Sequence, residues 1–178
     1  DDVQLEYTST ASRYNLVNNG DFQYGANGWS GNFPNNPNGW PDDSEVADPP
    51  VSTDPNAPKQ PPQLSSKAAK IEGDPTSQKR ISQTIAVSGN ANDSFVYAAW
   101  AKGDSASLWE RQYENYTRSF AMEIQFHHTD GTVSDIFSTQ FNPDTDQWQY
   151  IANAAVVLKA YSAVTVTLCY DHNINTVY

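Results

Sequence analysis

The chain has 178 residues, with 10 Lys plus Arg against 21 Asp plus Glu and a net charge of −11 at neutral pH. That balance argues against a nucleic-acid binder, which needs a basic face, and against an anionic membrane surface as partner. The single cysteine, Cys169, excludes an intrachain disulfide and a thiolate metal cluster, and no apolar run is long enough to span a bilayer.

This length accommodates one domain, residues 1–178, with a sizeable core. Asp1-Asp2-Val3-Gln4-Leu5-Glu6 reads as a short first strand. In Asn15–Trp29 the apolar Leu16 and Val17 run into Asn18-Asn19-Gly20-Asp21, residues that tolerate left-handed backbone, followed by Phe22, a second Gly-rich turn and Trp29. Nine of the eleven prolines then fall between Pro34 and Pro62, which excludes a helix or a central strand and predicts a long surface loop over residues 30–65, with Trp40 inside it.

Residues 67–87 predict two strands about a turn at Gly73-Asp74-Pro75, and Ser94–Lys102 a third. In the latter, Phe95, Tyr97, Ala99 and Ala101 share one face and Val96, Ala98 and Trp100 the other. Residues 103–118, with Trp109, Arg111, Tyr113 and Tyr116, predict an ordered loop or helical turn. Ser119–His128 alternates cleanly: Phe120, Met122, Ile124 and Phe126 against Ala121, Glu123, Gln125 and His127. A turn at Thr129-Asp130-Gly131 leads to a return strand over Thr132–Gln140. Trp148, Tyr150, Ala152, Ala154 and Val156 line one face of the next strand. In the last, Val164, Val166, Leu168 and Tyr170 oppose Thr165, Thr167 and Cys169. Many short strands with scarcely any helical periodicity predict an all-β sandwich of two antiparallel sheets.

The pattern NLVxNGDFxxGxxGW over residues 15–29 resembles the opening strand of jelly-roll carbohydrate-binding modules. These galactose-binding-like sandwiches occur in bacterial glycoside hydrolases and YD-repeat surface proteins. Gln83-Thr-Ile-Ala-Val fits the same resemblance, which covers most of residues 12–178 and is weakest over 30–65 and 103–118. It also implies a second reading of Asp1–Glu6, as the closing strand of such a module, completing its own domain or added to a neighbouring repeat of a tandem array. As an ordinary first strand, the segment needs no neighbour.

Catalysis finds little support. There is no GxSxG, HExxH, Walker loop or Cys-His cluster; His127 and His128 point to opposite faces; and no second carboxylate shares the strand face of Glu123 for glycoside hydrolysis. The acid, amide and imidazole of Glu123, Gln125 and His127 suit sugar hydroxyls, joined by Thr165 and Thr167 if their strand lies in the same sheet. Trp100 would add a stacking ring if Phe95, Tyr97 and Ala99 are core, with Trp109, Tyr113 and Tyr116 at the rim. Trp29 and Trp148 read as structural, and Asp144 and Asp146 as a solvated turn. The resemblance implies a structural Ca²⁺ at Asn19, Gly20 and Asp21 with Asp1 or Asp2. It also implies a secreted or surface-displayed bacterial protein that binds a neutral polysaccharide or oligosaccharide. The competing expectation is a structural or adhesive spacer of a tandem array that binds no sugar.

Overall fold

The computed structural model describes residues 3–7, 15–31, 44–47, 67–105 and 107–178. It is all-β. The strands are β1 (Gln4–Tyr7), β2 (Ser30–Gly31), β3 (Ser44–Ala47), β4 (Ala68–Glu72), β5 (Arg80–Ile85), β6 (Ser94–Ala101), β7 (Ser119–His128), β8 (Phe137–Gln140), β9 (Gln149–Val156), β10 (Tyr161–Asp171) and β11 (Thr176–Val177). A single 3₁₀ turn, Arg111–Tyr113, interrupts them among the described residues.

Every described pairing is antiparallel, in three hydrogen-bonded groups of order β1-β6-β9, β2-β5-β10-β7-β8 and β11-β4-β3. The expected two sheets are therefore three ladders, but two of them join. Just past β6, Gly103 bridges Val177, and Lys102 and Tyr178 exchange both backbone hydrogen bonds at 2.9 Å. Both of these groups pack against the five-stranded sheet. Phe95 of β6 meets Phe126 of β7 with ring centres 5.0 Å apart, and Ala69, Ile71 and Val177 line one apolar cavity with Phe120 and Tyr170.

The period-2 pattern decides what enters that core. Phe95, Tyr97, Ala99 and Ala101 of β6 are buried, as are Phe120, Met122, Ile124 and Phe126 of β7 and Val164, Val166 and Tyr170 of β10. Burying each such large side chain stabilises the fold by about 1.5–3 kcal/mol.

Four expectations change in detail. Residues 15–29 form the consecutive turns that their Asn, Asp and Gly residues imply, and the opening strand that the resemblance places there is confined to β2 at Ser30–Gly31. The two strands of residues 67–87 exist as β4 and β5, yet they do not pair; β4 joins β3 and β11 while β5 joins β2 and β10. The long loop contains β3 at an outer position beside β4, which suits a Pro-flanked segment; Trp40 lies outside the described residues. The return strand after the 129–131 turn is interrupted. His127 faces Val133 and Ile124 faces Phe137, so two residues of β7 oppose three of its neighbour. Ser134 fills this bulge, its hydroxyl accepting from the Phe126 N–H and its own N–H donating to the Phe126 carbonyl, both at 2.9 Å.

Candidate functional site

The outward face of the five-stranded sheet carries the polar side chains of β5, β10, β7 and β8 in rungs set by the register. Thr84, Thr165 and Gln125 form one rung; Ser82, Thr167, Glu123 and Ser138 the next; Arg80, Cys169, Ala121 and Gln140 the third. The sequence expectation that Thr165 and Thr167 extend the surface of Glu123, Gln125 and His127 therefore holds. These five side chains are all half-buried, so the surface is hemmed by its neighbours.

Hydrogen bonds tie the rungs together. The Thr165 hydroxyl lies 2.7 Å from His127 Nε2 and 2.9 Å from the Thr84 hydroxyl, and Gln125 donates to the Ser134 carbonyl at 2.9 Å. At the third rung Arg80 donates through Nε to Asp171 at 2.9 Å, and its Nη1 lies 3.4 Å from Glu123. Asp171 is almost fully buried and also accepts from the Lys79 N–H at 3.1 Å. Its hydrogen bond is the main cause that holds the Arg80 guanidinium pKa above the ordinary value, against the opposing effect of burial. Cys169 shares this rung, and burial pushes its thiol pKa well above the usual range, leaving it inert.

Trp100 does not belong to this surface. Its condition is met, since Phe95, Tyr97 and Ala99 are core, but β6 lies in the opposite layer. Two faces pointing away from one core point away from each other. Trp100 instead pairs with Tyr150 across the β6–β9 ladder, ring centres 5.1 Å apart, and Lys102 stands 6.0 Å from the ring centre of Trp148 on the same face.

The loop feeding β7 holds the other expected aromatics. Trp109 lies under the Arg118 guanidinium, 5.1 Å from ring centre to Cζ. Tyr113 ends the 3₁₀ turn half-buried, and exposed Tyr116 stacks on His172 at 4.7 Å and 12°. Arg118 precedes β7 and His172 follows β10, so this cluster caps the end of the polar face where Arg80 sits.

The 15–31 turns are fastened from within. Asn19, at φ 51°, donates through its side chain to the carbonyls of Gly25 and Asn27 and accepts from the Tyr24 N–H, while its carbonyl receives the Trp29 indole N–H at 3.1 Å. Gln83 reaches out of β5 to accept the Asn18 N–H and donate to the Asn18 and Gly28 carbonyls. Gly28, at φ 86°, has no room for more, because a Cβ there would sit 3.0 Å from the Gln83 amide. The Gly20 carbonyl accepts the Val3 N–H, and Asp21 accepts from the Gln23 N–H at 3.3 Å. A calcium ion takes about six to eight oxygens. The oxygens of Asn19 and Gly20 already accept from N–H donors, and Asp1 and Asp2, which would complete the expected set with Asp21, lie outside the described residues. Among the described residues no cluster of three His, Cys, Asp or Glu is placed to hold a metal.

Sequence reasoning missed two features. Arg80 and Thr84 join the polar face only because β5 neighbours β10. The turns also form a cleft of about 350 Å³ lined by Asn18, Asn19, Tyr24, Asn27 and Gly28, with Tyr24 78% exposed. The turn residues were the available signal, but nothing local in the sequence says that Asn18 and Asn19 come to face Asn27 and Gly28 across a cleft.

With that geometry in place, the chain is similar to the enzymatically active domain of bacteriophage CBA120 tailspike protein 4 (TM-score 0.61, 15% identity), covering 91% of this chain and 20% of that one. It is also similar to a family 16 carbohydrate-binding module (TM-score 0.58, 20% identity), covering 92% and 93%. A family 22 carbohydrate-binding module of Clostridium thermocellum Xyn10B aligns at a TM-score of 0.47 and 14% identity over 88% and 84%. No family model and no curated protein matches the sequence. The fold is the jelly-roll sandwich of the carbohydrate-binding modules, of which the chain spans nearly a full length; it spans about a fifth of the tailspike.

Proposed function

We propose that the chain is a non-catalytic carbohydrate-binding module that holds a neutral polysaccharide on the outward face of its five-stranded sheet. The observation that carries this reading is the rung pattern, in which Gln125, His127, Thr165, Thr167 and Thr84 offer directional partners at the spacing of neighbouring strands. Hydroxyls and amides both donate and accept, which matches the hydroxyl groups of a sugar. Tyr116 and Trp109, at the capped end, supply aromatic surface for the C–H face of a pyranose. Binding rather than hydrolysis is favoured because both carboxylates of this region, Glu123 and Asp171, are committed to Arg80. The similarity to a family 16 module supports the ligand class, and an extracellular site of action on a bacterial surface or secreted protein goes with it.

The test is an array of neutral plant, fungal and bacterial glycans probed with the full chain and with His127→Ala, Gln125→Ala, Trp100→Ala and Tyr24→Ala. A hit weakened about tenfold or more by the first two substitutions is the expected result. A hit lost with Trp100→Ala or Tyr24→Ala alone would move the site to the opposite face or to the turn cleft.

One observation favours a spacer instead. Thr84, Thr165 and His127, and separately Arg80, Glu123 and Asp171, already satisfy one another. A blank array from a protein with a cooperative melt would select that reading.

A further inference from the structure

The opening turns hold between them a cleft of about 350 Å³, lined by Asn18, Asn19, Tyr24, Asn27 and Gly28. Ligand pockets run from about 300 to 1,000 Å³, so this one has room for a small ring and little more. Its lining contains no charged side chain.

The backbone around the cleft is held in place. Asn19 commits its carboxamide to the Gly25 and Asn27 carbonyls and the Tyr24 N–H, which fixes the chain on which Tyr24 and Asn27 stand. Gln83 does the same for Asn18 and Gly28, accepting the Asn18 N–H and donating to both carbonyls. Phe22 and Trp29, ring centres 5.2 Å apart, anchor the turns in the core. The side chains left over are the ones a ligand would meet. The carboxamides of Asn18 and Asn27 make no hydrogen bond among the described residues, and Tyr24 makes no ring contact there, with 78% of it exposed. A tyrosine ring kept in water leaves apolar surface that a partner would cover. Gly28, at φ 86°, presents bare backbone, so a ring can approach closely.

We infer that this cleft is a second carbohydrate subsite, taking one neutral pyranose ring of a glycan. The Tyr24 ring lies against the sugar's C–H face, and the Asn18 and Asn27 carboxamides meet its hydroxyls. A carboxamide both donates and accepts, as a hydroxyl does, and brings no charge with it. The subsite rests on the ligand class of the sheet-face reading but on none of its residues.

The experiment is a proton–nitrogen correlation NMR titration of the full chain with methyl glycosides of glucose, galactose, mannose, xylose and N-acetylglucosamine. A single ring binds with a Kd on the order of 1 mM, so the titration runs to about 50 mM. At least one glycoside should move the side-chain NH₂ resonances of Asn18 and Asn27 and the Gly28 amide, and saturate. The same response should persist in His127→Ala, which separates the cleft from the sheet face. Tyr24→Phe should hold the affinity within about twofold, and Tyr24→Ala should lower it about tenfold. Tyr24 is exposed, so neither substitution threatens the fold. Silence at Asn18 and Asn27 toward every glycoside would overturn the inference, as would a response that Tyr24→Ala leaves unchanged. Should these resonances shift while glycan binding ignores His127 and Gln125, the sheet-face reading falls and the cleft stands.

Discussion

The two outward faces of the sandwich are built on the same alternation and carry opposite chemistry. On the five-stranded sheet, threonines, Gln125, His127, Glu123 and Arg80 bond to one another across strands. On the β6–β9 ladder, Val96, Ala98 and Trp100 lie opposite Ala154, Ala152 and Tyr150, and Lys102 brings a charge to the far end beside Trp148. The first face is half-buried and cross-linked; in the second, Tyr150 is 53% and Val156 46% exposed. Outwardness therefore does not define a binding surface. Which groups the register sets side by side does.

The comparison breaks most completely if the core beneath both faces is emptied. Phe126 is fully buried against Phe95, Phe137 and Tyr161, so Phe126→Ala should cost about 3–5 kcal/mol in denaturant unfolding and remove both faces together. Next in size is Asp171→Ala. It strands the Arg80 guanidinium and the Lys79 N–H, and should cost about 3 kcal/mol while leaving the Trp100 face intact by near-ultraviolet circular dichroism. Trp100→Ala removes one tilted aromatic pair and should cost about 1 kcal/mol, without the affinity loss expected of His127→Ala.

Smaller effects sharpen the contrast. Cys169 should resist a disulfide reagent at pH 8 until denaturant is added. Its folded pKa is raised, so its contribution to stability is complete below the unfolded thiol value of about 8.5 and is lost as pH rises through the folded one. Asp130, at the β7 turn, behaves oppositely. The Thr132 hydroxyl, Lys159 and the Thr132 N–H depress its pKa. Its contribution is present above about pH 4 and lost as pH falls through the lower folded value, an effect that Asp130→Asn should remove from a pH series of melting temperatures.

The strands were legible because alternation is a local property. β7 falls at residues 119–128 as expected, and Phe95, Tyr97, Ala99 and Ala101 of β6 are buried as the alternation predicts, with Ala98 of the other face buried as well. The layer to which each strand belongs is not local, and that is why Trp100 was assigned beside Glu123 when the two lie on opposite sides. The same limit hid Arg80, whose partner Asp171 is 91 residues away. In Asn15–Trp29 the turn residues were visible, but only Asn19 and Gln83 in place show that the turns bond to one another in place of a strand neighbour.

Gln83 has a dynamic consequence. Its one amide spans from β5 to both ends of the turn region, at Asn18 and Gly28, while β2 adds only a two-residue ladder. Residues 15–31 are also held by the Val3–Gly20 and Leu5–Leu16 backbone hydrogen bonds and by buried Val17, Phe22 and Trp29. Gln83, however, is the side chain that ties both ends of the turns to the sheet, so losing its amide would loosen Asn18 and Gly28 together. In hydrogen exchange, the amides of Phe22, Gly25 and Trp29 should then share one opening free energy below that of β7 and β10. Gln83→Ala should lower their protection while the sandwich strands keep theirs.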